Sequence, residues 1–338
     1  MRISSNNSIS GEAPRLTITG RDGRTADVSR LYRSLSWSGN LRQTAREAAF
    51  ELLVPGGGRD VPEVAADKGC AVALELGGER LYTGTIVKRK HDSEAPFMTV
   101  ECLDRGWYLR NEGWYSFRAT PEQAARTLCG DFGIPVGALA STGVVVSRKF
   151  PGVGLNKIID TMYSQAAEQT GKRYLTRFDG LGRLCVVEKG LEPVGPVLAP
   201  RANLMRTSVA EDVSSLCTAV AIYSGTGDLI RRVEEESART VYGLFQHVLT
   251  QKKGADAGRE AAKYLADHGE QQTVTVECLG DPRLVTGAAV VLRAEHSGAA
   301  GLFWVDSDVH TWKNGQYLCK LTLNLKNVMN ETSAGKEK

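Results

Sequence analysis

The sequence predicts a mainly β protein with an α+β insert: two similar small antiparallel β-barrel domains in one chain, separated by an α/β insert. Three observations predict it. Gly at 36 of 338 residues favours turns and short strands over long helices. Short alternating apolar segments bounded by turn residues fill the first third and return near the C-terminus. Between them the period changes, and two capped helical stripes take over.

In chain order, "RLTITGRDGRTADV" puts Leu16 and Ile18 on one face before an Asp22-Gly23 turn. "LYRSLSWSG" places Leu31, Leu35 and Trp37 together. The next segment, "WSGNLRQTAREAAFELLV" at 37–54, has a helix-like composition. As a helix it would gather Leu41, Ala45, Ala48, Ala49 and Leu52 and leave Phe50 in solvent. As a strand it aligns Ala48, Phe50, Leu52 and Val54. Burying Phe50 is worth roughly 1.5–3 kcal/mol, more than the propensity differences among these residues. The segment is therefore expected to be a strand. "GCAVALELGGERLYTGTIVKRK" turns at Gly77-Gly78, and "PFMTVECLD" supplies a further strand.

"ATPEQAARTLCGDFGIP" opens a helix with Thr120 as N-cap, Pro121 at the first position and Gln123 completing a capping box. A second helix fits "GLNKIIDTMYSQAAEQTGK", with Leu155, Ile158, Ile159 and Met162 inside and Gly171 as terminator. Strands "GVVVSRKF", "RYLTRF" and "GRLCVVE" surround them. "GLEPVGPVLAPRAN" reads as a linker. A hairpin around Gly225-Thr226-Gly227, the strand "YGLFQHVLT" and a helix from Asp256 to Gly269 follow, and strands then resume to residue 328. The expected domains are a first β-barrel at 1–116, an α/β insert at 117–190, a second β-barrel at 191–329 with one helix near 256–268, and a disordered tail at 330–338.

Residues 69–103 and 287–325 share an order of features. Each starts at Gly and runs through a small-residue strand ending at Leu74 or Leu292. A Gly-containing turn leads to an aromatic strand (Tyr82; Phe303 and Trp304), then to a polar loop and an alternating strand. A duplicated barrel accounts for this.

Lys and Arg total 42 against 39 Asp and Glu, a net charge of +3, too balanced to argue for nucleic-acid binding. No apolar run approaches membrane-spanning length. The seven Cys show no CxxC or zinc-like spacing. Cys70, Cys102, Cys278 and Cys319 lie in apolar stretches and are expected to be buried thiols. That, with the polar N-terminus "MRISSNNSIS", points to folding in a reducing cytoplasm.

No motif identifies an active site. Asp306, Asp308 and His310 alternate in "DSDVHTW" and could ligate a divalent cation. No fourth ligand stands nearby, so a solvated strand face, with Val305 and Val309 buried opposite, is the expectation. "PGGGRD" and "GVGLNK" lack the endings of phosphate-binding loops and read as turns. Cys129, Cys185 and His247 have no local motif that would make them a nucleophile and base. No catalytic residue, cofactor or metal is expected.

"SLSWSGNLRQTAREAAFELL", "TPEQAARTLCGDFGIPVG" and "FWVDSDVHTWKNGQYLCKLTLNL", in this order and spacing, resemble the baseplate hub proteins of contractile phage tails and phage-tail-like particles, the XkdQ-type hub family. The resemblance covers nearly the whole chain and contains no catalytic signature. It implies a structural homotrimer between the six-fold tail tube and the three-fold central spike. The implied partners are the chain itself, the tube protein, the spike protein and other baseplate or tape-measure proteins, without specific nucleic-acid binding or membrane insertion. The implied location is the tail baseplate of a particle assembled in the bacterial cytoplasm. The alternative is a peptidoglycan hydrolase or a glycan-binding tail protein.

Overall fold

The computed structural model describes residues 13–55, 61–251 and 256–337. The expectations for "MRISSNNSIS" and for Gly56–Asp60 of "PGGGRD" lie outside the described residues. Strands β1 (Arg15–Thr19), β2 (Thr25–Asp27), β3 (Tyr32–Asn40), β4 (Glu47–Leu53), β5 (Ala71–Leu76), β6 (Glu79–His91) and β7 (Phe97–Asp104) come first. A 3-10 turn (Arg105–Arg110) leads into β8 (Glu112–Ala119), α1 (Pro121–Asp131), β9 (Val136–Leu139), β10 (Val146–Gly154), α2 (Leu155–Thr170), β11 (Tyr174–Phe178) and β12 (Leu184–Glu188). Next are β13 (Leu204–Asp212), β14 (Ala219–Tyr223), β15 (Leu229–Glu234), α3 (Glu236–Tyr242), β16 (Gln246–Thr250) and α4 (Ala257–Asp267). The chain finishes with β17 (Gln271–Leu279), β18 (Ala289–Ala294), β19 (Ala299–Lys313), β20 (Gln316–Asn324) and β21 (Lys336–Glu337).

Two compact units result, one of residues up to Thr207 together with Thr275 onward, the other Ser208–Val274. In the larger unit the 37–54 segment forms no helix: it holds the end of β3, a turn at 41–46 and then β4, the strand that Phe50 required. Ala48, Phe50 and Leu52 of β4 point into the core opposite Cys102, Val100 and Met98 of β7. Val54 lies just past the strand end and is half-buried. The mainly β class with an α/β insert holds. The segments read as two barrels are hydrogen-bonded to one another through β3 and β19. Both therefore belong to a single sheet, ordered β13-β17-β20-β19-β3-β4-β7-β6-β5-β1-β2, with β18 added on β19.

The insert has its own core, in which Leu128 of α1, Ile158, Ile159 and Met162 of α2 and Phe150 of β10 are fully buried. Thr120 is the N-cap of α1 and Pro121 its first residue, as expected, and in the capping box the Thr120 N–H donates to Gln123 Oε1 at 3.1 Å. Gly171 ends α2 at φ 73°, a left-handed conformation that suits glycine. The expected 116/117 boundary cuts β8, which pairs with β10 and so belongs with the insert.

Two expectations need correction. Residues 208–274 are a separate unit rather than part of a second barrel, because they bury a core of their own. Val220, Ile222, Leu249, Ala261 and Leu265 make it, with α4 capped at Asp256 as expected. The tail is not disordered but packs on the insert. Met329 is buried in the insert core, the Arg148 guanidinium donates to Ala334 O and Ser333 Oγ, and β21 pairs with β10. Apolar Met329 and the unmet acceptors of the tail backbone find partners that composition alone does not reveal.

Candidate functional site: a buried polar junction and two open strand edges

The stretch "DSDVHTW" crosses the joint between β3 and β19. A bulge between Val305 and Ser307 places two consecutive alternation patterns out of phase. Val305 is buried, but beyond the bulge the inward positions are Asp308, His310 and Trp312, while Val309 is 38% exposed. The expected solvated acidic face is thus wrong for Asp308 and His310, which are fully buried. Asp306 is half-buried and accepts from Asn324 Nδ2 at 3.0 Å.

Burial of Asp308 is compensated by dense pairing. The two terminal guanidinium nitrogens of Arg46 donate to its carboxylate, one at 3.0 Å. The backbone N–H and the hydroxyl of Thr286 each donate to Oδ1 at 2.6 Å. Arg46 also lies over the Trp37 ring at 4.2 Å. His310 Nε2 sits 3.3 Å from Asp308 Oδ2, near enough for charge attraction but not aligned as a hydrogen bond. Its Nδ1 meets Tyr317 Oη at 2.8 Å and Cys319 Sγ at 3.1 Å. Burial opposes the charge on Asp308, yet Arg46 and His310 hold its carboxyl well below the usual range. Burial also opposes the imidazolium, but Cys319 and Asp308 outweigh it and raise His310 to about 9.

Asp, His and Cys in this order invite comparison with a nucleophile and its base. The arrangement cannot act as one. Cys319 is 1% and His310 0% exposed, and burial is the main cause raising the thiol, away from the reactive thiolate. The junction is built to lock strands. Of the other sequence candidates, Cys129 and Cys185 belong to the insert and its strands, and His247 belongs to the smaller unit, stacked on Tyr264 at 3.9 Å. All seven cysteines are free and buried, as expected. "GVGLNK" leads β10 into α2, and the Leu155 amide there is already bonded to Asn111 O. Among the described residues no group of three or more His, Cys, Asp or Glu is placed to hold a metal ion. No helix among them is long and apolar enough to cross a membrane.

What the fold offers to partners is strand edge and apolar surface. β13 ends the large sheet, and the last residues of β6, Lys88–His91, are exposed. In the smaller unit α3 buries no side chain, and Val241, Leu244 and Phe245 are exposed. Sequence reading passed over this helix, whose seven residues lack an apolar stripe.

The chain matches the YQBQ-like family model over residues 35–324. It is 22% identical over 309 residues to the phage-like element PBSX protein XkdQ of Bacillus subtilis, covering 88% of this chain and 94% of that one. The 43 kDa tail protein of prophage MuSo2 from Shewanella oneidensis shares the fold at a TM-score of 0.71 and 14% identity, covering 92% of this chain and 98% of that chain. A tail protein from Neisseria meningitidis does so at a TM-score of 0.67 and 16% identity, covering 92% and 96%. The resemblance drawn from the three sequence segments is borne out: the chain belongs to the YQBQ-like family.

Proposed function

We propose that this chain is a structural protein of a phage tail or tail-like particle, acting as the baseplate hub without catalysis. Three copies form a ring that adapts the six-fold tail tube to the three-fold central spike. Tube, spike and other baseplate or tape-measure proteins are its partners, and it is assembled in the bacterial cytoplasm. The observation that carries this reading is the membership and fold likeness just described, to a phage-like element protein and to tail proteins. A second observation supports the symmetry: the ladders β5–β6–β7 and β18–β19–β20 repeat one plan within the chain. Two such halves in three copies give six similar stations around one axis, which a closed trimer meets with a single chain.

The test is mass in solution, with and without the spike protein, together with imaging of assembled particles. A three-chain species located at the baseplate is the expected result. A persistent monomer absent from any particle overturns the reading. Turnover of peptidoglycan by the purified chain, abolished by changing one carboxylate, would move the assignment to a hydrolase.

A further inference from the structure

The internal repeat points to the surface by which copies of this chain meet, an inference that rests on the trimer reading above. In the first half Val72 pairs with Gly84 and Leu74 with Tyr82. In the second, Val290 pairs with Phe303 and Leu292 with Gly301. The register then breaks at the same place in both: between Ile86 and Lys88 in β6, and between Val305 and Ser307 in β19. Past the bulge, Lys88 opposes Glu101 of β7 and Ser307 opposes Thr322 of β20. Lys88–His91 of β6 thus occupies the place of Ser307 onward in β19.

The two places differ in one respect. From Ser307 to Lys313 the second edge of β19 is occupied by β3, with Ser307 opposite Asn40 and Lys313 opposite Ser34. Among the described residues the matching edge of β6 carries no strand. The β5 ladder ends at Ala71–Thr85, and the backbone hydrogen bonds of the chain before it end at Ile86, through the Gly69 N–H and the Cys70 carbonyl. Among the described residues no strand lies on that edge from Lys88 to His91. The strand standing where β3 stands is β13: β3 joins β4, which joins β7, and β13 joins β17, which joins β20. β13 is the end of the sheet, with Arg206, Ser208 and the Ala210–Asp212 end exposed and Met205 61% exposed. Among the described residues there is thus one complete junction, β19 with β3, and the two halves of a second, unjoined.

We infer that β13 of one copy pairs antiparallel with the Lys88–His91 edge of β6 in the next, repeating between chains the β3–β19 junction made within each. Contacts of this head-to-tail kind close a ring when the rotation closes, and three of them alternate with three internal junctions. Charge agrees with the polarity. In the internal junction the C-terminal end of β3 lies at the start of the β19 stretch. The same sense brings Glu211 and Asp212, which end β13, towards Lys88 and Arg89. These cations already touch Glu101 and Asp67 of their own chain, but those pairs are exposed and contribute little. A basic edge also resists unregistered pairing, so it selects an acidic strand over others.

The test uses the full chain. Lys88→Glu with Lys90→Glu, and separately Glu211→Lys with Asp212→Lys, should each reduce the three-chain species to single chains, with the circular dichroism spectrum of the folded chain unchanged. Combining all four changes in one chain should restore the three-chain species, because every contact is then reversed on both sides. Independently, a copy carrying Arg89→Cys mixed with copies carrying Val209→Cys, Ala210→Cys or Glu211→Cys should give oxidised dimers between the two populations for at least one of the three. A wild-type trimer that survives both charge reversals and gives no mixed disulfide overturns this pairing while leaving the trimer standing. A wild-type chain that stays monomeric with and without the spike protein overturns both.

Discussion

Asp308→Asn is the sharpest probe of the junction. The carboxylate is fully buried and collects donors from Arg46 and Thr286, with His310 at 3.3 Å. Asparagine keeps the shape but has one acceptor oxygen and no charge. Arg46, with only 15% of its side chain exposed, is left with an unpaired cation. Breaking a buried pair from one side costs about 3–5 kcal/mol, which is a large part of the usual 5–15 kcal/mol total for a domain. The expected loss in melting temperature is roughly 6–20 °C. The assay is urea and thermal unfolding beside Asp306→Asn, whose half-buried carboxyl accepts from Asn324 and which should cost under about 1 kcal/mol. The pH dependence checks the same network. Asp308 is depressed, so its contribution is present above an ordinary carboxyl pKa of about 3.9 and fades as acid reaches its folded value. His310 is raised to about 9, so its contribution is complete below about 6.5 and is lost as pH climbs through 9. Asp308→Asn should flatten that alkaline loss. If the variant unfolds within about 1 kcal/mol of wild type, the junction does not hold the sheet.

Other outcomes follow from single contacts. Asp160 is raised to about 6 by burial, against hydrogen bonds from Thr176 and Asn330; its charged form is disfavoured, so stability should decline between pH 4 and 7. Asp160→Asn should flatten this slope in a melting series, and an unchanged slope refutes the assignment. A Cβ at Gly180 would lie 1.7 Å from the Arg80 carbonyl oxygen, where backbone must give way. Gly180→Ala should cost at least about 1–3 kcal/mol. Gly130 in α1 has open space around it, so Gly130→Ala should instead stabilise by about 0.5–1 kcal/mol. Deleting residues 329–338 removes buried Met329, roughly 1.5–3 kcal/mol, and leaves Arg148 without its tail acceptors. Faster hydrogen exchange in α2 and β10 would register that loss.

The parts of the fold legible in the sequence are those where one local rule was enough. Alternation around Phe50 identified β4 despite its helix-like composition, and Gly171 and Asp256 marked the helix ends where they occur. The junction was illegible for a specific reason. Alternation read through Val305 and Val309 assumes an unbroken strand, and one extra residue at the bulge reverses which side faces inward. Nothing in "DSDVHTW" announces that residue. The signal available was indirect: the first half of the chain carries Ile86-Val87-Lys88 at the matching place, and it bulges there too.

That parallel bears on why the two halves diverge. Beyond its bulge, β19 carries Asp308 and His310 inward and is sealed by Arg46 and Trp37 reaching over from the first half of the chain. β6 carries Lys88-Arg89-Lys90-His91 there, exposed and unsealed. A buried ion network suits a junction completed once, during folding, since opening it would strand charge without water. Solvated cations suit an edge that must stay soluble until a partner arrives. The same strand plan thus supports a permanent joint in one half, and in the other an edge with the properties an assembly contact needs.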